Sequence, residues 1–261
     1  MKYSAEISSL AHIEAMRNGR PGIGEWQLQA IIEGGFRYLG ASNWAYPSIV
    51  GCGENATILH YHDNNSPCMD GDVVLIDAGS EYEGYAADIT RSWPVNGKFS
   101  NAQRKIYDLV LKSQLAAIEK CVVGNEYLDT HKAASKVLAE GLVDLGIISC
   151  SPEEALENGE LKKYFMHGTG HWLGLDVHDV GVYKPGGEPR KFESGMVITI
   201  EPGLYFGDWR PDLDNLDSQW AGIGIRIEDD VLITETGPEV LSSKCPKTIE
   251  EMEKIIGTSL N

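Results

Sequence analysis

The chain alternates between stretches with an apolar residue every three or four positions and short apolar runs closed by glycine. Over 4–18, Ile7, Leu10, Ala11 and Ala15 share one helical face, and Gly19 and Pro21 end the run. Residues 24–39 repeat the pattern with Trp26, Leu28, Ile31, Ile32 and Phe36. The β-branched segment from Tyr46 to Tyr61 predicts strands ending at Leu59, His60 and Tyr61. GDVVLIDAG over 71–79 predicts a buried strand, with a second over 85–95 beyond a turn at 79–84. Ser100 and Gln103 form a capping-box pattern opening a helix over 101–121. A further helix covers 126–145 and ends at Gly146; 152–164 reads as a short acidic helix. GMVITIEPG over 195–203 predicts another buried strand, followed by a glycine- and aspartate-rich loop over 207–221. In the next strand region, 222–234, Ile223, Ile225 and Ile227 alternate with Gly224, Arg226 and Glu228. Period two therefore sets Arg226 and Glu228 on one face. A last helix is expected over 246–256.

Two of these strands resemble each other. GDVVLIDAG and GMVITIEPG match at Gly71/Gly195, Val73/Val197, Ile76/Ile200, Asp77/Glu201 and Gly79/Gly203. Each follows two helices and precedes a strand whose acid, Asp88 or Glu228, lies four residues after a glycine. The order helix-helix-strand-strand thus runs twice, as a duplication predicts. Related by a pseudo-two-fold axis, the halves would bring Asp77 and Asp88 against Glu201 and Glu228.

Four carboxylates that close repel one another, and desolvation makes each charge costlier. They need either retained protons or divalent cations. Two dications balance four negative charges, and a neutral histidine completes the set. The stretch Phe165–Gly181 supplies candidates in His167, His171 and His178, set among glycines that break helix and strand alike. His171 is the expected ligand. Taken singly, each residue has a plainer reading. Asp77 could cap a turn, Glu228 could pair with Arg226 on an edge strand, and His60 could be a core histidine; Asp229 and Asp230 read as solvated loop acids. Only the joint pattern points to metal. An oxygen-rich site with one imidazole and no thiolate favours manganese by ligand hardness, with cobalt or zinc able to compete. Two such ions would activate a shared water and clamp a tetrahedral intermediate, the chemistry of acyl or phosphoryl hydrolysis. No GxSxG elbow, GxxxxGK[ST] phosphate loop or cysteine beside histidine offers a competing nucleophile.

Composition narrows the partners. A net charge of −17 over 261 residues disfavours nucleic acid and anionic membrane surfaces. No apolar run approaches a membrane span of about 20 residues, and the N-terminus lacks the layout of a signal peptide. Five scattered cysteines without CxxC spacing read as free thiols in a reducing compartment, so a cytoplasmic location is expected. No linker or low-complexity segment appears, and 1–261 is expected to form a single domain.

ILHY at 58–61, VLIDAG at 74–79, DITRSWPVNGKFS at 88–100, HGTGHWLGLDVHDVG at 167–181, IEPGLY at 200–205 and GIGIRIEDD at 222–230 resemble the aminopeptidase P (Xaa-Pro aminopeptidase) and prolidase family. The likeness covers nearly the whole chain. It implies an α+β "pita-bread" catalytic domain, with duplicated halves around a curved antiparallel sheet. It also implies a dinuclear site that hydrolyses the N-terminal Xaa-Pro bond through a hydroxide bridging two metals, manganese first. Asp77 would bind one ion, Asp88 and Glu228 both, and His171 and Glu201 the other. His60 and His178 would stabilise the scissile carbonyl and gem-diolate. Glu201 would also carry the proton from water to the leaving proline nitrogen. His167 and Tyr205 would shape the proline pocket, and Arg226 would orient Glu228. Partners would be peptides with proline second, together with further copies of the chain in a homo-oligomer. Relatives normally carry an N-terminal domain ahead of this one, and the expectation here is a catalytic domain without it. The alternatives are a prolidase-type dipeptidase, an enzyme like methionine aminopeptidase, and a non-catalytic binding module of the same fold.

Overall fold

The computed structural model describes residues 1–213 and 216–259. Two helical hairpins back an arrangement of short antiparallel strands. The first pairs α1 (Lys2–Arg17) with α2 (Glu25–Tyr38); the second pairs α3 (Asn101–Ile118) with α4 (Tyr127–Asp144). After α2 come β1 (Asn43–Trp44), β2 (Ile49–Cys52), β3 (Val73–Asp77), β4 (Ser80–Tyr82), β5 (Tyr85–Ala86) and β6 (Thr90–Pro94). After α4 come α5 (Pro152–Glu157), β7 (Val197–Ile200), β8 (Gly203–Phe206), β9 (Ile223–Arg226), β10 (Asp229–Thr234), β11 (Gly237–Val240) and α6 (Ile249–Ile255). The sheets run β2-β3-β6, β11-β10-β7, β8-β9 and β1-β4-β5, every pairing antiparallel. Helix-helix-strand-strand therefore recurs as expected.

The halves meet where β9 lies against β3 and β6. Ser92 stitches them: its hydroxyl donates to the Arg226 carbonyl and accepts from the Arg226 N–H, both at 3.0 Å. One apolar core joins α1 and α2 through Ile7, Leu28 and Phe36 to Val74, Ile76 and Trp93 of the sheet. A second packs Ile198 and Ile200 of β7 and Val231 and Ile233 of β10 against Trp172 and Phe192. Among the described residues, no helix is long and apolar enough to cross a membrane.

Several expectations shift. Leu10 and Trp26 face solvent, whereas Ser4, Ser8 and His12 are buried on α1. Ser4 and Ser8 exchange hydrogen bonds with Ser80, and His12 Nε2 meets the Ala78 carbonyl at 2.9 Å, so polar pairing replaces apolar packing there. The strands expected over 46–61 end at Cys52. Gly53–Thr57 forms a 3-10 turn and 58–61 leaves the sheet. The 85–95 strand is split into β5 and β6, and the 222–234 strand into β9 and β10, each break falling at an acid of the site. The expected acidic helix stops at Glu157, with a 3-10 turn over Glu160–Lys163, and α6 begins at Ile249. Within the 207–221 loop, Pro211–Leu213 forms a 3-10 turn, and positions 214–215 lie outside the described residues. Cys52 and Cys68 are joined as a disulfide, so two of the five cysteines are not the free thiols expected. The pair closes the segment that carries His60.

Candidate metal centre

The acids are delivered by strand ends. Asp77 is the last residue of β3, Asp88 lies just ahead of β6, Glu201 follows β7, and Glu228 occupies the break between β9 and β10. Two glycines let these backbones approach. A Cβ at Gly79 would sit 1.7 Å from the Ala87 carbonyl oxygen, and one at Gly170 would sit 1.9 Å from that of Thr199. At Gly170 the histidine stretch crosses β7. Thr199 N–H donates to the His171 carbonyl at 2.9 Å, and Glu201 N–H to that of Thr169 at 2.8 Å. The glycine density read from the sequence thus serves a backbone contact that sets His171 beside Glu201.

Among the described residues, Asp88, His171 and Glu228 each offer a donor atom, all within 4.8 Å of one another. His171 Nε2 is 3.3 Å from Asp88 Oδ2 and 3.6 Å from Glu201 Oε1. Tyr46 Oη donates to Asp77 Oδ1 at 2.6 Å and also lies against Asp88 Oδ1. Asp77 turns its other oxygen to Arg226 Nη2 at 2.7 Å. Thr90 Oγ1 donates to Glu228 Oε2 at 2.6 Å and accepts from Arg226 Nε at 3.2 Å. Arg226 and Glu228 therefore do share a face, converging on Thr90, but both are buried and form no edge-strand surface pair.

Crowding shows in the acidities. Burial, with Asp77 alongside, pushes Asp88 up to about 6. Burial likewise raises Glu201 to about 7, and Glu228 lies well above the carboxylate range beside Asp88 and Glu201. Burial opposes the charge of Asp77 too, but Arg226 and Tyr46 outweigh it and hold that carboxyl low. Burial alone would lower His171; Asp88 and Glu201 instead raise it to about 9. Three of the four acids are thus pushed toward keeping their protons, the sign of negative charge crowded into a buried site. Four carboxylates and one imidazole, short of positive charge, form a donor set that fits hard divalent ions.

Of the remaining expected residues, His60, His167, His178 and Arg226 line the same cavity, about 630 Å³ in volume, together with Asp77 and Glu201, whereas Tyr205 is not part of its lining. His178 stacks edge-on to His171 with ring centroids 4.3 Å apart, and burial beside that ring lowers its pKa. His60 is exposed at the mouth and is no core histidine. Tyr205 is fully buried, with its hydroxyl 2.8 Å from His167 Nε2. Burial, then Arg226, lowers His167 to about 3.

Two acids read as solvated are the opposite. Asp229 is fully buried; it accepts from Arg91, Ser242, Gln114 and Lys247. Asp230 is buried and accepts from Asp88 N–H at 3.1 Å. Their outward appearance in EDD came from charge alone, and the partners lie more than a dozen residues away. Tyr46, Thr90 and Glu25, which hold the site together, are hard to see in the sequence. Buried Glu25 accepts from Cys52 N–H, Asn55 Nδ2, Tyr61 Oη and Ser66 N–H, and so holds the 52–66 segment on which His60 rides. Its only sequence signal was an acid in the first turn of a helix, which reads as a dipole partner.

A duplicated α+β framework with an acid- and histidine-lined cavity between its halves defines a pita-bread fold. The sequence pattern of metallopeptidase family M24 matches residues 1–235, and the chain belongs to that family. The Xaa-Pro aminopeptidase of Escherichia coli strain K12 is 47% identical over 258 residues, which are 98% of this chain and 57% of that protein. Aminopeptidase PepP of Pseudomonas aeruginosa superposes with a TM-score of 0.94 at 47% identity, over 98% of this chain and 57% of that one. Zinc-substituted aminopeptidase P of Escherichia coli, in complex with product, superposes with a TM-score of 0.92 at 47% identity, covering 97% and 57%. The chain thus spans a little over half the length of the relatives it matches.

Proposed function

We propose that residues 1–261 form the catalytic unit of a metal-dependent aminopeptidase that releases an N-terminal residue preceding proline. One observation carries the reading: Asp88, His171 and Glu228 converge within 4.8 Å, flanked by Asp77 and Glu201, in a cavity walled by further histidines. Asp77 would hold one ion, Asp88 and Glu228 both, and His171 and Glu201 the other. Two divalent ions, manganese favoured by ligand hardness, would when bound polarise the scissile carbonyl and lower the pKa of the attacking water.

The other tasks fall to side chains. An Xaa-Pro bond is a tertiary amide, and its ring nitrogen must gain a proton to leave. Glu201, its carboxylate 3.6 Å from His171 in the cavity wall, would serve both halves of that transfer, taking a proton from water and returning it to the nitrogen. His178, kept neutral, can donate a hydrogen bond to the carbonyl oxygen, with the exposed His60 also in the cavity lining. His167, backed by the buried Tyr205, would bound the proline ring, and Arg226 fixes Asp77 and, through Thr90, Glu228. The aminopeptidase P names and the product complex among the relatives support this choice of bond.

The test is release of the first residue from Gly-Pro-Ala, Gly-Pro and Met-Gly-Met with added Mn²⁺, each with and without chelator. Chelator-sensitive cleavage of Gly-Pro-Ala is expected. Cleavage of Gly-Pro alone would instead identify a dipeptidase, and of Met-Gly-Met alone a methionine aminopeptidase. No metal-dependent cleavage of any peptide would sink the enzymatic reading.

A further inference from the structure

Arg226, Tyr205 and His167 form a hydrogen-bonded chain whose direction is fixed at one end. Arg226 Nη1 lies 2.9 Å from Tyr205 Oη, and a guanidinium can only donate. The tyrosine has a single hydroxyl hydrogen. Its remaining partner is His167 Nε2 at 2.8 Å, so the hydrogen points there and Nε2 accepts. Across the ring, Nδ1 stands 2.7 Å from the Gly168 carbonyl oxygen, which can only accept, so Nδ1 carries the proton. Glu201 Oε2, 3.8 Å from Nδ1, is too distant to compete. Both ends demand the same tautomer. An imidazolium would turn a second cationic donor on the tyrosine oxygen and strand the buried hydroxyl hydrogen, an arrangement that costs a hydrogen bond beside a like charge.

We propose that this chain locks His167 as the neutral, Nδ1-protonated tautomer, so that the wall it gives the cavity presents no free hydrogen-bonding atom. His167 is then a specificity-determining residue through shape: it offers carbon edges to an apolar ring and nothing to a polar one. Identifying that ring as the pyrrolidine of proline rests on the function proposed above. The lock is a property of the chain itself. It also explains why three polar side chains can sit beside a site meant for hydrocarbon: each has its hydrogen-bonding capacity spent on the next.

Nitrogen NMR of the full chain, labelled at histidine and recorded at pH 7 with chelator and again with zinc, reads the tautomer. His167 is assigned by the signals lost in His167→Gln. Expected in both samples are a protonated Nδ1 and an unprotonated Nε2. In Tyr205→Phe the Nε2 resonance is expected to move, since it loses a donated hydrogen bond, while Nδ1 stays protonated. A protonated Nε2 in either wild-type sample overturns the proposal, as does an unmoved Nε2 resonance in Tyr205→Phe. Should that variant not fold, the wild-type spectra decide alone. On Gly-Pro-Ala, His167→Gln brings an unpaired amide to the wall; KM is expected to rise about tenfold with kcat within about threefold. A kcat loss of about a hundredfold at unchanged KM would instead give the ring a chemical task and overturn the wall. If wild type cleaves nothing, the function proposed above fails, and the spectra still judge the tautomer.

Discussion

Thr90 brings one hydroxyl to the site, yet it holds Glu228 and receives Arg226, the residue that holds Asp77. Ligands fixed in this way leave little freedom to retreat from one another, and their repulsion is relieved by protons or by cations. On the proposed ligand set Asp88 and Glu228 would each serve both ions, so losing either one would weaken both sites. Asp88→Ala and Glu228→Ala are expected to lower activity by at least about a hundredfold, and His167→Ala by less, as assays at saturating Mn²⁺ will show. Asp88→Ala matching the parent would refute the bridging assignment. Protons and metal compete for the same atoms. Asp88 and Glu201 hold protons to about 6 and 7, and His171 to about 9, so each must be stripped for an ion to bind. Calorimetric Mn²⁺ titrations are expected to show proton release and an affinity that falls as pH drops from 8 to 6. An affinity independent of pH would contradict the proposed ligand set. At this scale the sequence was informative about donors and silent about their keepers. Asp77 and Glu201 stood out at strand ends, whereas a tyrosine before proline and a threonine in a strand carry no such mark.

Elements place these residues by ending or breaking where chemistry is needed. Alternation correctly put Arg226 and Glu228 on one face, yet read one strand through 222–234 where β9 and β10 join different sheets. Period-two patterning survives a change of sheet, so it cannot reveal one. The Arg91 guanidinium closes that break: it binds the Glu228 carbonyl and the Asp229 carboxylate inside the protein, with the carbonyls of Thr90, Cys245 and Pro246 completing its partners. Arg91→Met is expected to destabilise the protein by about 3 kcal/mol, since it leaves a buried carboxylate with Lys247 as its remaining cation. Chemical denaturation with metal removed would measure this, and a change under about 1 kcal/mol would show that the pair does not hold the break. The segment 52–66 is the counterpart on the other side. Its β-branched residues suggested strand, but the buried Glu25 draws its amides inward, and the chain curls into a loop that carries His60.

For the whole molecule the proposed metal centre predicts a dependence of stability on bound ions. Asp88 and Glu201 have folded pKa values above their unfolded ones, so their stabilising share is full below the unfolded carboxylate range and is lost as pH rises through about 6 and 7. His171, raised from 6.5 to about 9, adds a share lost on passing upward through 9. Chelated protein should thus melt lower at pH 8 than at pH 6, and Mn²⁺ at pH 8 should restore more than about 5 °C. An unchanged melting temperature on chelation would argue against ions inside the fold. The repeat of helices and strands and the buried strands were legible in the chain itself, as were the acids and the histidine proposed as metal ligands, because periodicity and residue chemistry are local properties written residue by residue. Which acids are buried, that Asp229 serves Arg91 rather than solvent, that Cys52 meets Cys68, and that Arg226, Tyr205 and His167 align head to tail were decided by the tertiary structure. Those outcomes depend on contacts between residues far apart in sequence, and only packing the two halves together brings such partners within reach.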